Sequence, residues 1–361
     1  MNMKWIENLF PGYEILVEYD SIEDKSQKRE IHGLKSHKDC VCMFCGAPYE
    51  GWQKKDIVHA ISECVGNKSL ITYTECYDCN HLFGEIAENH LGKFVMPYRI
   101  INEVYGKGKY HNTVKDNPVD DGLSYGTYRF EQKKNAPIFG SETFDVRSML
   151  IEMRGAGRLI KSDDGYWLRI PRQKYDPLMI YPSLLKIAFS ILPTDRTEEY
   201  KKQIWGLFAN CRVKKGIEKG EFPQAEELPK ADDLVEELDK YFDGLPHVAL
   251  EIRMVNRALP NQVNVCLLNN RESQEAKPDL LFALQMRWYT IVIPVLSDRN
   301  CDGDFGLSCT QAHDVEIRSL NLREIEDELE CPMQADEIPI PEELIPELED
   351  DLRKAGLLRS E

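Results

Sequence analysis

Two cysteine pairs of identical spacing, Cys42-Met-Phe-Cys45 and Cys76-Tyr-Asp-Cys79, enclose 30 residues that contain a single histidine, His59, and lead directly into Asn80. A Cys-x-x-Cys turn offers two thiolates to one ion, and two such turns complete a tetrahedral four-sulfur site of the structural zinc type. Cys40 lies two residues before the first pair and is an alternative ligand, but the spacing favours Cys42 and Cys45. The insert is longer than in the commonest zinc ribbons, so it has room to carry chemistry. Without the cysteines around it, His59 after an apolar pair would read as a satisfied core histidine.

The elements that must hold these groups follow from local pattern. Gln53–Val58 reads as a short strand that delivers His59 at its end, Gly66-Asn67-Lys68 has turn chemistry, and Leu70–Thr74 reads as a second strand. From Cys79 onward Phe83, Ala87 and Leu91 recur every four residues, a helical stripe that Pro97 ends. Strand, turn, strand and helix of about 50 residues would lack enough core without the metal. At 100° per residue, Glu88 and His90 flank the direction of Asn80 on the helix, while His81 points away.

This set resembles the HNH endonucleases (the ββα-metal or His-Me finger family). The nearest pattern is the zinc-stapled four-cysteine branch that includes the phage recombination endonucleases. His59-Ala-Ile-Ser-Glu63, Gly66-Asn67-Lys68 and Cys79-Asn80-x-x-Phe83-Gly84 also resemble the HNH subgroup of bacterial genomes and mobile elements. The resemblance covers residues 40 to 99. It implies a metal-dependent nuclease with His59 as general base, since an imidazole titrates near neutral pH. Asn80 would be a ligand of the catalytic ion or an orienter of the base, and His90 would complete a His-Asn-His set. The catalytic ion would be Mg2+ or Mn2+, separate from the structural zinc on Cys42, Cys45, Cys76 and Cys79. The substrate would be nucleic acid, DNA (double-stranded) ahead of RNA, and the family's setting suggests a phage-defence or mobile-element effector. One departure stands out: Val58 occupies the position before the base, where many members carry an acid or a second His. The rival readings are a zinc-containing nucleic-acid module that does not cut and a protein-interaction module.

The rest of the chain bounds these readings. At 361 residues it is long enough for two or three domains. It contains no run of eighteen apolar residues and no signal-peptide pattern, and its eleven cysteines are an odd number with no disulfide framework. A reducing, cytoplasmic location is expected. The net charge of −17 looks unfavourable for a nucleic-acid partner, but residues 324–351 carry thirteen acids and no Lys or Arg, leaving −4 on the other 333 residues. Phosphate binding needs only a local basic surface.

The expected organisation is α+β: an N-terminal segment (1–39), the zinc-stapled nuclease unit (40–100), an irregular linker (101–145), a larger α+β domain (146–323) and an acidic tail (324–361). The larger domain would select substrate, form a homo-oligomer or receive a regulatory protein partner. Its pattern predicts a buried apolar helix over Ile180–Leu192, a helix over Glu198–Lys215, and strands over Val248–Val255, Val263–Leu268 and Leu280–Val295. An amphipathic helix is expected near Asp232–Phe242. In the tail, Pro339, Pro341 and Pro346 argue against helix. The tail is expected to be solvating, or to compete with nucleic acid for the basic face.

Overall fold

The longest apolar runs of the chain, Leu280–Met286 and Tyr289–Val295, are strands buried along their whole length, which requires cover on both faces of their sheet. That sheet organises the molecule. The computed structural model describes residues 3–20, 28–36, 38–52, 57–101, 112–114, 128–130, 132–133, 136–137, 154, 159–162, 165–171, 175–219, 244–254, 263–271, 277–287, 289–297, 307, 309–310, 315–323, 325, 335–340 and 345–358. The helix expected near Asp232–Phe242 and most of the expected linker lie outside the described residues.

In chain order the elements begin with α1 (Lys4–Glu7), β1 (Tyr13–Asp20), β2 (Arg29–Glu30), β3 (Val58–His59) and β4 (Leu70–Thr72). A helical arm follows: α2 (Tyr77–Phe83), one π-helical turn (Gly84–Glu88), α3 (Asn89–Phe94) and α4 (Met96–Ile101). Two short pairs come next, β5 (Asn112–Val114) with β6 (Tyr128–Phe130), and β7 (Gln132–Lys133) with β8 (Ala136–Pro137). Then come β9 (Leu159–Ser162), β10 (Gly165–Pro171), α5 (Ile180–Ser190) and α6 (Lys201–Lys219). The chain continues through β11 (Val248–Met254), β12 (Val263–Asn270), β13 (Leu280–Met286), β14 (Tyr289–Val295) and β15 (Val315–Asn321), and closes with β16 (Ala335–Pro339) and α7 (Ile345–Lys354). The class is mixed α+β, as the sequence pattern predicts.

The main sheet has six strands in the order β1-β12-β13-β14-β11-β15, antiparallel at every pairing. The run Leu280–Val295 is two strands: Met286 pairs with Tyr289 across a two-residue connection in which Arg287 takes φ 53°, the left-handed backbone that tight hairpins demand. β1 comes from the N-terminal segment (1–39), outside the bounds expected for the larger α+β domain, and it is an edge strand of this sheet. Met3, Ile6, Leu9 and Phe10, on and beside α1, cover one face by packing on Leu250, Ile252, Cys266, Leu268 and Leu281.

The other face carries α5, all eleven residues of which are buried. It is buried on every side because it lies between the sheet and the four-cysteine unit. Tyr181 Oη donates to Pro294 O of β14 at 2.7 Å. On its opposite side Lys186 Nζ lies 3.1 Å from Glu75 Oε2 and 3.2 Å from Glu88 Oε1, with both nitrogen and carboxylates out of solvent. Burial raises the Glu75 carboxyl to about 7 against the pull of Lys186. The lysine is held above its ordinary value, because its two carboxylate partners override the burial that would lower it. A second polar clasp joins α4 to the sheet: Tyr98 Oη donates to Glu251 Oε1 at 2.8 Å, and its ring stacks on Tyr289 at 3.9 Å.

Removing one member of a buried ion cluster leaves the others uncompensated. Lys186→Met is therefore expected to cost about 3–5 kcal/mol in urea unfolding. Adding Glu75→Gln and Glu88→Gln to that variant should recover much of the loss. A single variant as stable as the parent would show that the cluster does not hold the two units together.

The acidic tail is partly folded. β16 pairs antiparallel with β10, from Trp167↔Pro339 to Pro171↔Ala335, in a three-stranded sheet with β9. α7 buries Leu348 and Leu352 completely, and Glu349 accepts from Lys161 Nζ and Tyr166 Oη, each at 3.0 Å. Pro346 does not break this helix. It sits in the first turn, where its missing N–H has no intrahelical partner to lose. For residues 335–340 and 345–354 the expectation of a solvating tail is thus corrected, and truncation at 324 would remove a strand and a docked helix.

Candidate metal centre and the histidine beside it

The first cysteine pair sits on a turn that the backbone closes on itself. Gly46 N donates to Cys42 O and Cys42 N to Ala47 O, both at 2.8 Å, with Gly46 at φ +71°. The second pair opens α2, where Cys76 is the N-cap and its Sγ accepts from Cys79 N at 3.4 Å. Cys76 N in turn donates to Cys42 Sγ at 3.4 Å. All four Sγ atoms lie within 4.8 Å of one another, with Cys42–Cys79 at 3.7 Å and Cys45–Cys76 at 3.8 Å. A tetrahedron of thiolates around zinc, with Zn–S of about 2.3 Å, has edges of roughly 3.8 Å. The donor set therefore fits a zinc ion. Contact with Cys42 pulls the Cys45 and Cys76 thiols down, while hydrogen bonding to Cys45 holds Cys42 up and hydrogen bonding to Cys42 holds Cys79 up. Four sulfurs so close cannot all ionise without a cation between them. Cys40 stays outside the cluster, its thiol directed to Ser36 O at 3.7 Å.

His59 ends β3, which pairs antiparallel with β4 through Val58↔Thr72 and His59↔Ile71. Residues 53–56, the start of the expected strand, lie outside the described residues. The turn after His59 is stitched by Asn67, which is fully buried. Its amide donates to Ile61 O at 2.8 Å and Leu70 O at 2.9 Å, and its carbonyl accepts from Ser69 N and Leu70 N. Gly66 precedes it at φ +100°, which makes this sharp turn accessible. The His59 ring is 22% exposed, with Nε2 3.5 Å from Glu63 Oε1 and Nδ1 3.4 Å from Asn67 Nδ2. Since both Asn67 amide hydrogens already point at carbonyls, the contact with Nδ1 is weak. The loop beyond His59 packs on α3: Cys64 Sγ donates to Glu88 O at 3.4 Å, and a Cβ at Gly92 would meet Cys64 Cβ at 3.1 Å.

Asn80 is half-buried in α2, one residue past the last zinc-type ligand. His90 is elsewhere engaged: its Nδ1 accepts from Asp176 N at 2.7 Å, in the turn that starts the α5 segment, and Asp176 is paired with Lys214 at 2.9 Å. Burial lowers the His90 pKa against the pull of Asp176. A neutral ring whose Nδ1 accepts a hydrogen bond carries its proton on Nε2 and keeps no lone pair for a metal ion. Glu88 is taken by Lys186, and His81 pairs with Glu85 on the exposed side. The directions of Glu88 and His90 differ from a 100° wheel because the π turn at Gly84–Glu88 slips the helix register, whereas His81, ahead of that turn, points away as expected. Glu63 and Lys186 are the functional-looking residues that spacing did not single out. A lysine inside the apolar run Ile180–Leu192 was the available signal for the second.

Among the described residues no other group of three or more His, Cys, Asp or Glu converges on a point. No described helix is long and apolar enough to cross a membrane. Two grooves flank the cysteine turn where α6 packs beside it, one of about 310 Å³ and one of about 600 Å³, and neither is lined by His59. Compared with protein-family models, curated proteins and solved structures, the chain matches none.

Proposed function

We propose that this chain is a metal-dependent endonuclease of the HNH kind, hydrolysing phosphodiester bonds in nucleic acid, DNA ahead of RNA. The observation that supports it best is the setting of His59: part-exposed, at the end of a two-stranded hairpin, ahead of a helix that begins on the four-cysteine cluster. Glu63 beside Nε2 favours the proton on that nitrogen, which makes Nδ1, 3.4 Å from Asn67 Nδ2, the basic nitrogen of the ring. Asn80 would offer an oxygen to a divalent cation. Such an ion would draw most of its ligands from water and phosphate, as Mg2+ commonly does, and would supply charge stabilisation at the phosphate. The zinc on Cys42, Cys45, Cys76 and Cys79 would be structural. His90 would act by fixing the Asp176 turn. An effector role in phage defence or a mobile element rests on the sequence resemblance alone.

The test is purified protein on supercoiled plasmid with Mg2+, Mn2+ or EDTA. Nicking that needs the divalent ion and His59 supports the reading. The second reading is a zinc-containing binding module without cleavage, favoured by Val58, which is buried and apolar where a ligand would be useful. Plasmid binding without nicking under all three conditions would select it.

A further inference from the structure

The surface beside the cysteine turn has a pattern that the hydrolytic reading does not use. α6 carries six basic residues (Lys201, Lys202, Arg212, Lys214, Lys215 and Lys219) and one acid, Glu218, in a chain whose net charge is −17. Its outward line reads Lys202, Trp205, Ala209, Arg212, all exposed at helical spacing. Trp205 is 48% exposed and Lys201 Nζ lies 5.1 Å from its ring centroid. Of the four exposed large apolar side chains among the described residues, two, Trp205 and Val41 of the cysteine turn, line the same groove of about 310 Å³. The second groove lies further along α6, on the other side of the cysteine turn, and is lined by Phe208, Arg212, Lys215 and Trp52.

We infer that this cleft between α6 and the cysteine turn binds a single strand of nucleic acid, with a base stacked on Trp205 and phosphates beside Lys201 and Arg212. The basic excess on α6, which the groove-lining carboxylates Glu198 and Asp78 offset only in part, favours an anionic partner, and the exposed indole favours one with accessible ring faces. An aromatic platform between cations is how sequence-tolerant single-strand sites are built. A duplex buries the ring faces that Trp205 would meet. From Trp205 to Arg212 is about 10 Å along a helix axis, room for roughly three stacked nucleotides at about 3.4 Å each. Lys201, Lys214 and Lys215 are paired with Glu198, Asp176 and Glu85. Arg212, exposed at the mouth of the second groove, therefore carries the larger share of phosphate contact. The inference rests on the nucleic-acid part of the proposed function and not on cleavage.

The test uses the full chain, a fluorescein-labelled dT12 strand and its duplex with dA12 at low salt without divalent ions, with zinc content and melting as controls. The single strand is expected to bind, to quench tryptophan emission, and to outcompete the duplex. Trp205→Ala should weaken binding about tenfold or more. Trp205→Phe should keep most of the affinity. Arg212→Glu should weaken binding and flatten its salt dependence, whereas Arg318→Glu on the remote strand β15 should change little. The inference is overturned if Trp205→Ala and Arg212→Glu, still folded, bind as the parent does. It is also overturned if the duplex binds as tightly without involving Trp205, or if polyglutamate displaces the strand at equal charge, which would make the site one for acidic protein. Binding that depends on Trp205 in a chain that never nicks plasmid would leave the cleft standing and remove the hydrolytic reading. Nicking that depends on His59 but not on Trp205 or Arg212, in variants that bind dT12 as the parent does, would do the reverse.

Discussion

Cys76→Ser is expected to empty the metal site and unfold the four-cysteine unit, with zinc falling from about one per chain to near zero. Cys76 does two jobs: it supplies one corner of the sulfur tetrahedron and it caps α2. The unit has little regular structure of its own, since β3 and β4 are two and three residues long, and its other support is the apolar core it shares with α5. Structural zinc is worth about 10–16 kcal/mol in small zinc peptides, as large as a typical whole domain's margin of about 5–15 kcal/mol. The damage should spread, because Glu75 is the neighbour of Cys76 and is buried against Lys186 of α5. Loss of zinc is therefore expected to lower the melting temperature of the main sheet as well. Cys40→Ser, whose thiol faces Ser36 O, should keep both zinc and stability. A Cys76→Ser chain that retains zinc and a parental melting curve would dismiss the structural role.

What was readable in advance was whatever depends on neighbours in sequence. The Cys-x-x-Cys turns, the Gly66-Asn67 turn and the Phe83, Ala87, Leu91 stripe are local, and the three stripe residues are fully buried. The apolar run expected as a helix over Ile180–Leu192 is local for the same reason, and it forms a helix over Ile180–Ser190. What could not be read was set by distant partners. β1 finds its place beside β12, far along the chain. The π turn at Gly84–Glu88 lies where Glu88 meets Lys186, a residue with no sequence link to it. A helical wheel assumes no such turn, so it aimed His90 at the site, whereas the ring meets Asp176. Pro346 misled because a proline breaks a helix interior yet suits a first turn.

His59→Ala is expected to lower plasmid nicking by about 10²–10⁴-fold, the usual contribution of a general base, while zinc content and melting stay parental. The separation should be clean because the ring is part-exposed and its contacts with Asn67 and Glu63, at 3.4 and 3.5 Å, are long. The fold of its loop is held by Asn67 through carbonyls and N–H groups that do not involve His59. Glu63→Gln removes only the group that favours one tautomer, so a smaller loss is expected, about tenfold. Asn80→Ala should reduce nicking and raise the Mg2+ concentration needed for it. His90→Ala should act differently: it deletes the acceptor of Asp176 N, so stability should fall by about 1–3 kcal/mol before the rate at saturating Mg2+ does. A His59→Ala chain that nicks at the parental rate in the same preparation would move the base to another residue. A His90→Ala chain with parental stability and no nicking would return that ring to the reacting centre, and the Asp176 contact would then be secondary.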